Sequence, residues 1–168
     1  NFNGKKDLAA APSGTFISED QKVIWRYENV GSNALPRFEL RQRDFLVNEM
    51  IDLGTGASPA FVDYNADGLL DLIVGNTYIY NPENQRDARL FLFENIGTVS
   101  NPKFNLVNED YLGMSQFSTN TNHFTPAFGD LDGDGDLDVL VGEEQGRLFY
   151  AENTAGAGNP LIFSEWQY

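Results

Sequence analysis

The chain has 168 residues, enough for about one domain, and 41% of them are hydrophobic, which is ample for a packed core. Its 25 acidic residues against 11 Lys and Arg give a formal net charge of -14, which disfavours nucleic acid and anionic membranes as partners and favours cations. Cysteine is absent, which excludes a disulfide framework and a cysteine-based zinc or redox site, and no apolar run approaches the ~20 residues needed for direct membrane insertion.

The N-terminal segment 1–12, NFNGKKDLAAAP, looks like the end of a loop followed by a strand. Asp7-Leu8 takes the place that Asp71-Leu72 takes in a later, complete copy, but the loop before Asp7 is two residues short. The missing pair would include one of the acidic positions that two complete loops later in the chain carry. If those loops bind metal ions, as argued below, a third site near Asn1–Asp7 would be vestigial. The runs WRYEN (25–29) and PRFEL (36–40) then predict two short strands, because aromatic and aliphatic residues favour the pleated, half-buried surface of a sheet.

The rest of the chain repeats this pattern. SPAFVDYNADGLLDLIVGN (58–76) recurs without a gap as TPAFGDLDGDGDLDVLVGE (125–143), and FLFENIGTVSNPKFNL (91–106) matches residues 25–40. Short apolar runs between Gly, Asn, Asp and Pro turns predict an all-β fold, and four strands in each repeating unit favour the blade of a β-propeller. We therefore predict blade-like repeats over about 1–50, 51–113 and 114–168.

The polar loop in each complete copy predicts a cation site. Carboxylates on alternate positions repel one another in water, and a hard divalent ion with 6–8 oxygen ligands offsets that repulsion. Calcium is favoured because magnesium requires stricter octahedral geometry and zinc prefers His or Cys. An EF-hand is excluded because the twelfth loop position is Val141 rather than Glu, and because the flanking runs PAFG and VLVG predict strands.

These residues carry a family resemblance that covers nearly the whole chain. The chain resembles the FG-GAP/VCBS repeat family, the calcium-loop β-propellers typified by the integrin α-subunit head, with Phe128-Gly129 in place of the FG and Ala11-Pro12 in place of the AP. The resemblance implies two calcium sites, each with four side-chain ligands and one backbone carbonyl. The first set is Asp63, Asn65, Asp67 and Asp71 with the carbonyl of Leu69, and the second is Asp130, Asp132, Asp134 and Asp138 with the carbonyl of Asp136.

The same resemblance implies a function and a wider architecture. Propellers of this family usually have about seven blades, so we expect about three blades here, in a piece of a longer chain that supplies the remaining blades. Assembly with a partner copy is the alternative. We expect an extracellular or cell-surface binding or adhesion module for protein or carbohydrate ligands, since free calcium is near millimolar outside cells. The alternatives are a propeller part, catalytic or not, of a secreted polysaccharide-degrading enzyme, and a structural spacer in a large surface adhesin.

Other residues are weighed against simpler roles. His123, the one histidine, is interpreted as a loop residue, and Glu143-Glu144 and Glu49 with Asp52 show no catalytic spacing, so we expect no enzyme activity. The insertion 76–88, NTYIYNPENQRDA, is the candidate recognition loop because binding residues are usually carried by variable loops. Aromatics in irregular segments are the better candidates for stacking against a sugar, and these are Tyr78 and Tyr80 in the insertion and Trp166 and Tyr168 at the C-terminal end. The aromatics on strands are interpreted as packing residues (Trp25, Tyr27, Phe91, Phe93, Phe149, Tyr150). The Glu-Asn pairs at 28–29, 94–95 and 152–153 are interpreted as turns, since Asn and Gly tolerate positive φ.

Overall fold

The computed structural model describes residues 4–11, 24–45, 51–80 and 86–168, and short antiparallel strands dominate these residues. The chain divides into two compact units, residues 1–52 and residues 53–168. Asn1, Asn3 and Pro12, which entered the interpretation of the first loop, lie outside the described residues. The all-β prediction is confirmed.

The described residues of the first unit form an antiparallel sheet in the order β1-β2-β3. Leu8 pairs with Tyr27, and a bulge interrupts the pairing of β2 with β3 between Arg26 and Tyr27. A bulge lies at the corresponding place in the next sheet, between Leu92 and Phe93, so the repeat in sequence is also a repeat in backbone geometry. The strands are β1 (Leu8–Ala10), β2 (Trp25–Asn29) and β3 (Phe38–Gln42).

The second unit contains two main sheets and a small hairpin. One sheet has the order β4-β5-β8-β9, the other β10-β11-β12, and β6 pairs with β7 inside the 76–88 insertion. The strands are β4 (Ser58–Val62), β5 (Asp71–Gly75), β6 (Ile79–Tyr80), β7 (Arg86–Asp87), β8 (Leu90–Asn95), β9 (Phe104–Asn108), β10 (Thr125–Gly129), β11 (Asp138–Gly142) and β12 (Leu148–Ala151).

The C-terminal residues lie beside β12 and extend the last sheet. Tyr150 and Gln167 exchange two backbone hydrogen bonds of 2.9 and 2.8 Å, and Asn153 forms an antiparallel bridge with Phe163. Trp166, which the sequence left open as a ligand-stacking aromatic, instead donates its Nε1–H to the carbonyl of Leu112 at 3.1 Å and packs edge-on against Phe149. Its position supports the core of this unit.

The main hydrophobic core lies between the two sheets of the second unit. Along β5 and β8 successive side chains alternate, so that Ile73, Leu90 and Leu92 face the sheet β10–β12, where Val139 and Phe149 meet them. The opposite face of β5 and β8 carries a second cluster of Val74, Phe91 and Phe93. Two antiparallel sheets stacked face to face in this way are neighbouring blades of a partial β-propeller.

A short helical element lies among the strands of the second unit. A 3-10 segment, Tyr111–Phe117, joins β9 to β10 and buries Tyr111 and Met114 against the main core. Leu112 and Gly113 inside it have positive φ values of 61° and 64°, so it is too short and too kinked to show helical periodicity in the sequence. No helix among the described residues has the length and apolar character required to cross a bilayer.

Candidate metal centre

The loop 130–138 connects β10 to β11 and curls around its own carboxylates. Asp130 accepts the N–H of Gly133 at 2.7 Å and the N–H of Gly135 at 3.2 Å, one on each carboxylate oxygen. Gly133 and Gly135 have φ values of 86° and 92°, a region that residues with a side chain avoid, so these glycines allow the tight turn. Asp132 accepts the N–H of Asp134 at 3.1 Å, which adds a further turn of the same kind.

Three predicted ligands of this loop lie close together. Carboxylate oxygens of Asp130, Asp132 and Asp138 all lie within 4.8 Å of one another. Calcium binds oxygens at about 2.3–2.6 Å, so two ligands of one ion lie no more than roughly 5.2 Å apart. The three oxygens therefore fit one calcium ion. Asp134 lies outside this group of three, and its Oδ1 accepts the N–H of Asp136 at 3.0 Å.

Asp138 closes the loop and ties it to the sheet. Its side chain is buried at the start of β11, where Oδ2 accepts the N–H of Leu131 at 2.9 Å and Oδ1 accepts the N–H of Asn153 at 2.9 Å. One carboxylate thus joins the loop to the end of β12. The position that the sequence predicts for the last ligand is also the position that anchors the loop.

The loop 63–71 repeats these contacts between β4 and β5. Asp63 accepts the N–H of Asp67 at 3.1 Å and that of Gly68 at 2.8 Å, while Asp71 accepts the N–H of Tyr64 at 3.1 Å and that of Asn95 at 2.7 Å. This loop is described in full, yet its three carboxylates do not come as close together as those of 130–138. Asp67 instead accepts a hydrogen bond from the Asn65 amide at 3.1 Å, a bond that an aspartate at that position could not donate.

The two complete loops concentrate negative charge without a cationic side chain. Burial raises the pKa of Asp71, and the carboxylates of Asp67 and Asp63 add to that rise against the N–H bonds that lower it. Within the described ranges, no Lys or Arg lies at ion-pair distance from the carboxylates of either loop. In the short first loop, by contrast, Arg26 lies 3.5 Å from Asp7. When the repeats are aligned, Arg26 corresponds to the buried Leu92 of the next repeat. The positive charge that the first loop has beside Asp7 is therefore absent from the second.

The predicted carbonyl ligands are also available. Among the described residues, no N–H or hydroxyl donates to the carbonyl oxygen of Leu69 or of Asp136. A hard divalent cation could bind these carbonyl oxygens together with the carboxylates of the same loop, because such ions bind both kinds of oxygen. The donor set of each loop therefore fits calcium in chemistry, and loop 130–138 also fits it in spacing.

The asparagine of each Glu-Asn pair fixes the strand ends next to these loops. The N–H of Asn29 donates to Asp7 at 3.0 Å, just as Asn95 and Asn153 donate to the last aspartate of their loops. The side-chain Oδ1 of Asn95 then accepts two more N–H groups, from Gly97 and Lys103, both at 3.1 Å. Sequence reasoning missed this role, although the recurrence of Asn at three equivalent positions was the signal for it.

The predicted reason for the Asn and Gly residues in these turns is wrong. None of the three asparagines has a positive φ, and neither has Gly31 or Gly97. The glycines are required by close approach: a Cβ at Gly97 would lie 2.4 Å from the carbonyl oxygen of Asn101, and one at Gly31 would lie 2.4 Å from that of Leu35. The turn closes so tightly on the following segment that no side chain fits.

The remaining candidates lie away from the two loops. His123 is exposed in the segment before β10 with φ 64°, and its Nδ1 lies 2.8 Å from the hydroxyl of Thr77. In the described part of the 76–88 insertion, the Arg86 guanidinium lies 4.7 Å from the ring centroid of Tyr78, and residues 81–85 lie outside the described residues. Glu143 is buried and bonded to Thr121 and Arg147, and Glu49 lies outside the described residues.

Comparison with known proteins agrees with this geometry. The family model described as FG-GAP repeat matches residues 55–85 and 124–162, and each matched segment contains one of the two loops and the strands beside it. No solved structure matches the chain. FG-GAP repeats are typical of integrin-like extracellular binding modules, which are generally non-catalytic and often bind calcium. Two segments of the chain, each with one of the two loops, thus match the FG-GAP repeat, in agreement with the resemblance seen in the sequence.

Proposed function

We propose that this chain is a calcium-stabilised binding module in which each FG-GAP loop holds one ion. The observation that carries the proposal is the meeting of the Asp130, Asp132 and Asp138 oxygens within 4.8 Å. The ligands would be Asp63, Asn65, Asp67, Asp71 and the Leu69 carbonyl in the first site, and Asp130, Asp132, Asp134, Asp138 and the Asp136 carbonyl in the second.

The ion would act mainly on stability. Each loop joins two adjacent strands and holds its carboxylates near one another, so an ion offsets repulsion that folding otherwise creates. Extracellular calcium modules bind at roughly 0.1–1 mM, and at ~1 mM calcium a site with a dissociation constant near 0.1 mM adds about 1.4 kcal/mol. Such affinities favour a location outside the cell, where calcium is near millimolar.

The recognition role is assigned to the loops at the other end of the strands. The 76–88 insertion is present in one repeat and is shortened to a tight turn in the next. The length and sequence of this connection therefore vary between repeats while the strands on either side of it are kept. Tyr78 and Arg86 supply a paired aromatic and cationic surface there. We propose a protein or carbohydrate ligand at this insertion, and blade-like repeats over about 1–50, 51–113 and 114–168 that join further blades.

Calcium titration of chelator-stripped protein by calorimetry tests the metal sites. We expect two sites, Asp67→Ala to remove one and Asp134→Ala to remove the other. The matched control is Glu109→Gln, which removes an exposed charge outside both loops and should leave both sites intact. Absence of binding at several millimolar calcium would contradict the proposal, as would equal binding by all four proteins.

A second experiment tests recognition. The protein would be applied to carbohydrate and extracellular-matrix protein arrays in calcium buffer, together with the variant Tyr78→Ala and the control Tyr168→Ala. We expect a ligand bound by the parent and the control but lost in Tyr78→Ala. Equal binding by both variants would place recognition elsewhere, and turnover of an acidic polysaccharide by this chain would contradict the non-catalytic assignment.

A further inference from the structure

Asp136 is the position at which the two loops differ most in chemistry. It is 4% exposed, whereas the corresponding residue of loop 63–71 is Leu69, which has no side-chain oxygen. Its Oδ2 accepts the N–H of Gly156 at 2.9 Å. Its Oδ1 is buried and, among the described residues, has no hydrogen-bond partner.

The surroundings of this oxygen are acidic. Asp136 stands between Asp134 and Asp138, two proposed ligands of the cation, and like Asp134 it lies outside the group of three carboxylates whose oxygens come within 4.8 Å of one another. Within the described part of the chain, no Lys or Arg forms an ion pair with Asp136. A carboxylate oxygen that has lost its contact with water and has no donor is unfavourable unless a cation or a proton reaches it. The neighbouring carboxylates of the same loop are the proposed ligands of a cation.

The partner of Oδ2 belongs to a segment that touches both loops. Residues 153–161 begin at Asn153, whose N–H donates to Asp138, and end at Leu161, whose N–H donates to the carbonyl of Tyr64 at 2.8 Å. Asp136 and Gly156 line a cleft of about 180 Å³ that also includes Asp63 of the other loop. A hydrogen-bonded path therefore runs from one loop through the segment to the other.

We propose that the Asp136 carboxylate contacts the cation of loop 130–138 through Oδ1 and holds the segment 153–161 through Oδ2. The inference rests on the proposed calcium sites. Binding of the ion would fix the carboxylate, the carboxylate would fix Gly156, and the segment would then be held against Tyr64. The site in the last repeat would consequently bind calcium more tightly than the Leu69-containing site and would stabilise the contact between the two repeats.

The test compares single-site proteins. Asp67→Ala removes the first site, and in that background Asp136→Asn keeps the size and an acceptor for Gly156, while Asp136→Leu copies the other loop. Glu109→Gln in the same background controls for net charge. Calorimetry would measure calcium affinity, and amide exchange by NMR would measure protection of the Gly156 N–H with calcium and with chelator.

We expect Asp136→Asn and Asp136→Leu to weaken calcium binding by about tenfold or more, and Glu109→Gln to leave it unchanged. In the unmutated protein, calcium should slow exchange of the Gly156 amide by at least about tenfold, and Asp136→Leu should abolish that effect. A purely structural Asp136 would instead shift thermal melting equally in calcium and in chelator.

The outcomes separate the two proposals. If the unmutated protein binds two calcium ions and the Asp136 variants bind within twofold of the background, the inference is wrong and the calcium sites stand. The inference also fails if calcium leaves Gly156 exchange unchanged in the unmutated protein, a measurement that needs no variant to fold. If the unmutated protein binds no calcium, both are overturned.

Discussion

Replacement of Asn95 by Ala should destabilise the second unit far more than replacement of an exposed neighbour. Asn95 is 4% exposed at the end of β8, and its side chain makes three hydrogen bonds. Its Nδ2 donates to the carbonyl of Leu70 at 3.2 Å, and its Oδ1 accepts from Gly97 and Lys103. Alanine would remove all three and leave two N–H groups and one carbonyl without a partner in a tight turn.

The size of the effect follows from these contacts. A neutral hydrogen bond contributes about 1 kcal/mol net, and a partner left unsatisfied and buried costs about 1–3 kcal/mol. Water can reach part of this turn, so we expect a total loss of about 2–4 kcal/mol, a large part of the stability of a small domain. Because the backbone N–H of Asn95 still donates to Asp71, the calcium sites should survive.

The assay is urea unfolding of the native chain and of Asn95→Ala, followed by circular dichroism in calcium buffer and in chelator. Asn101→Ala is the matched control, because Asn101 is exposed in the same turn and contributes backbone hydrogen bonds that alanine retains. The control should lose less than about 0.5 kcal/mol. A loss below 1 kcal/mol for Asn95→Ala, or a loss equal to that of the control, would refute the role assigned to this side chain.

Two further predictions concern packing and pH. Gly97→Ala should cost about 1–3 kcal/mol because its Cβ would lie 2.4 Å from a backbone oxygen, whereas Gly142→Ala, whose Cβ meets nothing closer than 3.8 Å, should cost little; comparable melting temperatures would contradict this. Burial works to raise the pKa of Glu143, but the N–H groups of Arg147 and Gln145 and the Arg147 guanidinium outweigh it, so the pKa lies below its ordinary 4.5. The ionised Glu143 therefore stabilises the fold above that value and loses this contribution as the pH falls through the lowered pKa. Urea unfolding at stepped pH should show Glu143→Gln about 1.5–3 kcal/mol less stable near pH 7, with the gap narrowing in acid, and a gap that widens in acid would overturn the assignment.

The repeat by itself determined the strands and the loops of this protein. Alternation and turn residues are local properties, so the runs at 58–62, 71–75 and 138–142 predict strands from neighbouring residues alone, and the spacing of the Asp130 to Asp138 carboxylates predicts a cation loop in the same way. The repeat likewise indicated that the strand aromatics pack inside, and Phe91, Phe93 and Phe149 do so. The insertion 76–88 was recognised as a loop, but its hairpin of β6 and β7 was not foreseen.

Only the tertiary structure decided which side chains from distant segments meet. The bond from Asn95 to Asp71 spans 24 residues and that from Gly156 to Asp136 spans 20, and no local periodicity records such pairs. The sequence alone does not distinguish ligand contact from packing for Trp166, whereas in the fold its Nε1–H donates to the carbonyl of Leu112, 54 residues away. The turn glycines show the same limit. Gly31 and Gly97 are required because the backbone of the following segment lies too close to leave room for a Cβ, and not because their own φ values are positive. Hydrogen bonds and contacts made across the fold therefore decide how the closing aspartates are held, whereas the sequence determines which loops contain them.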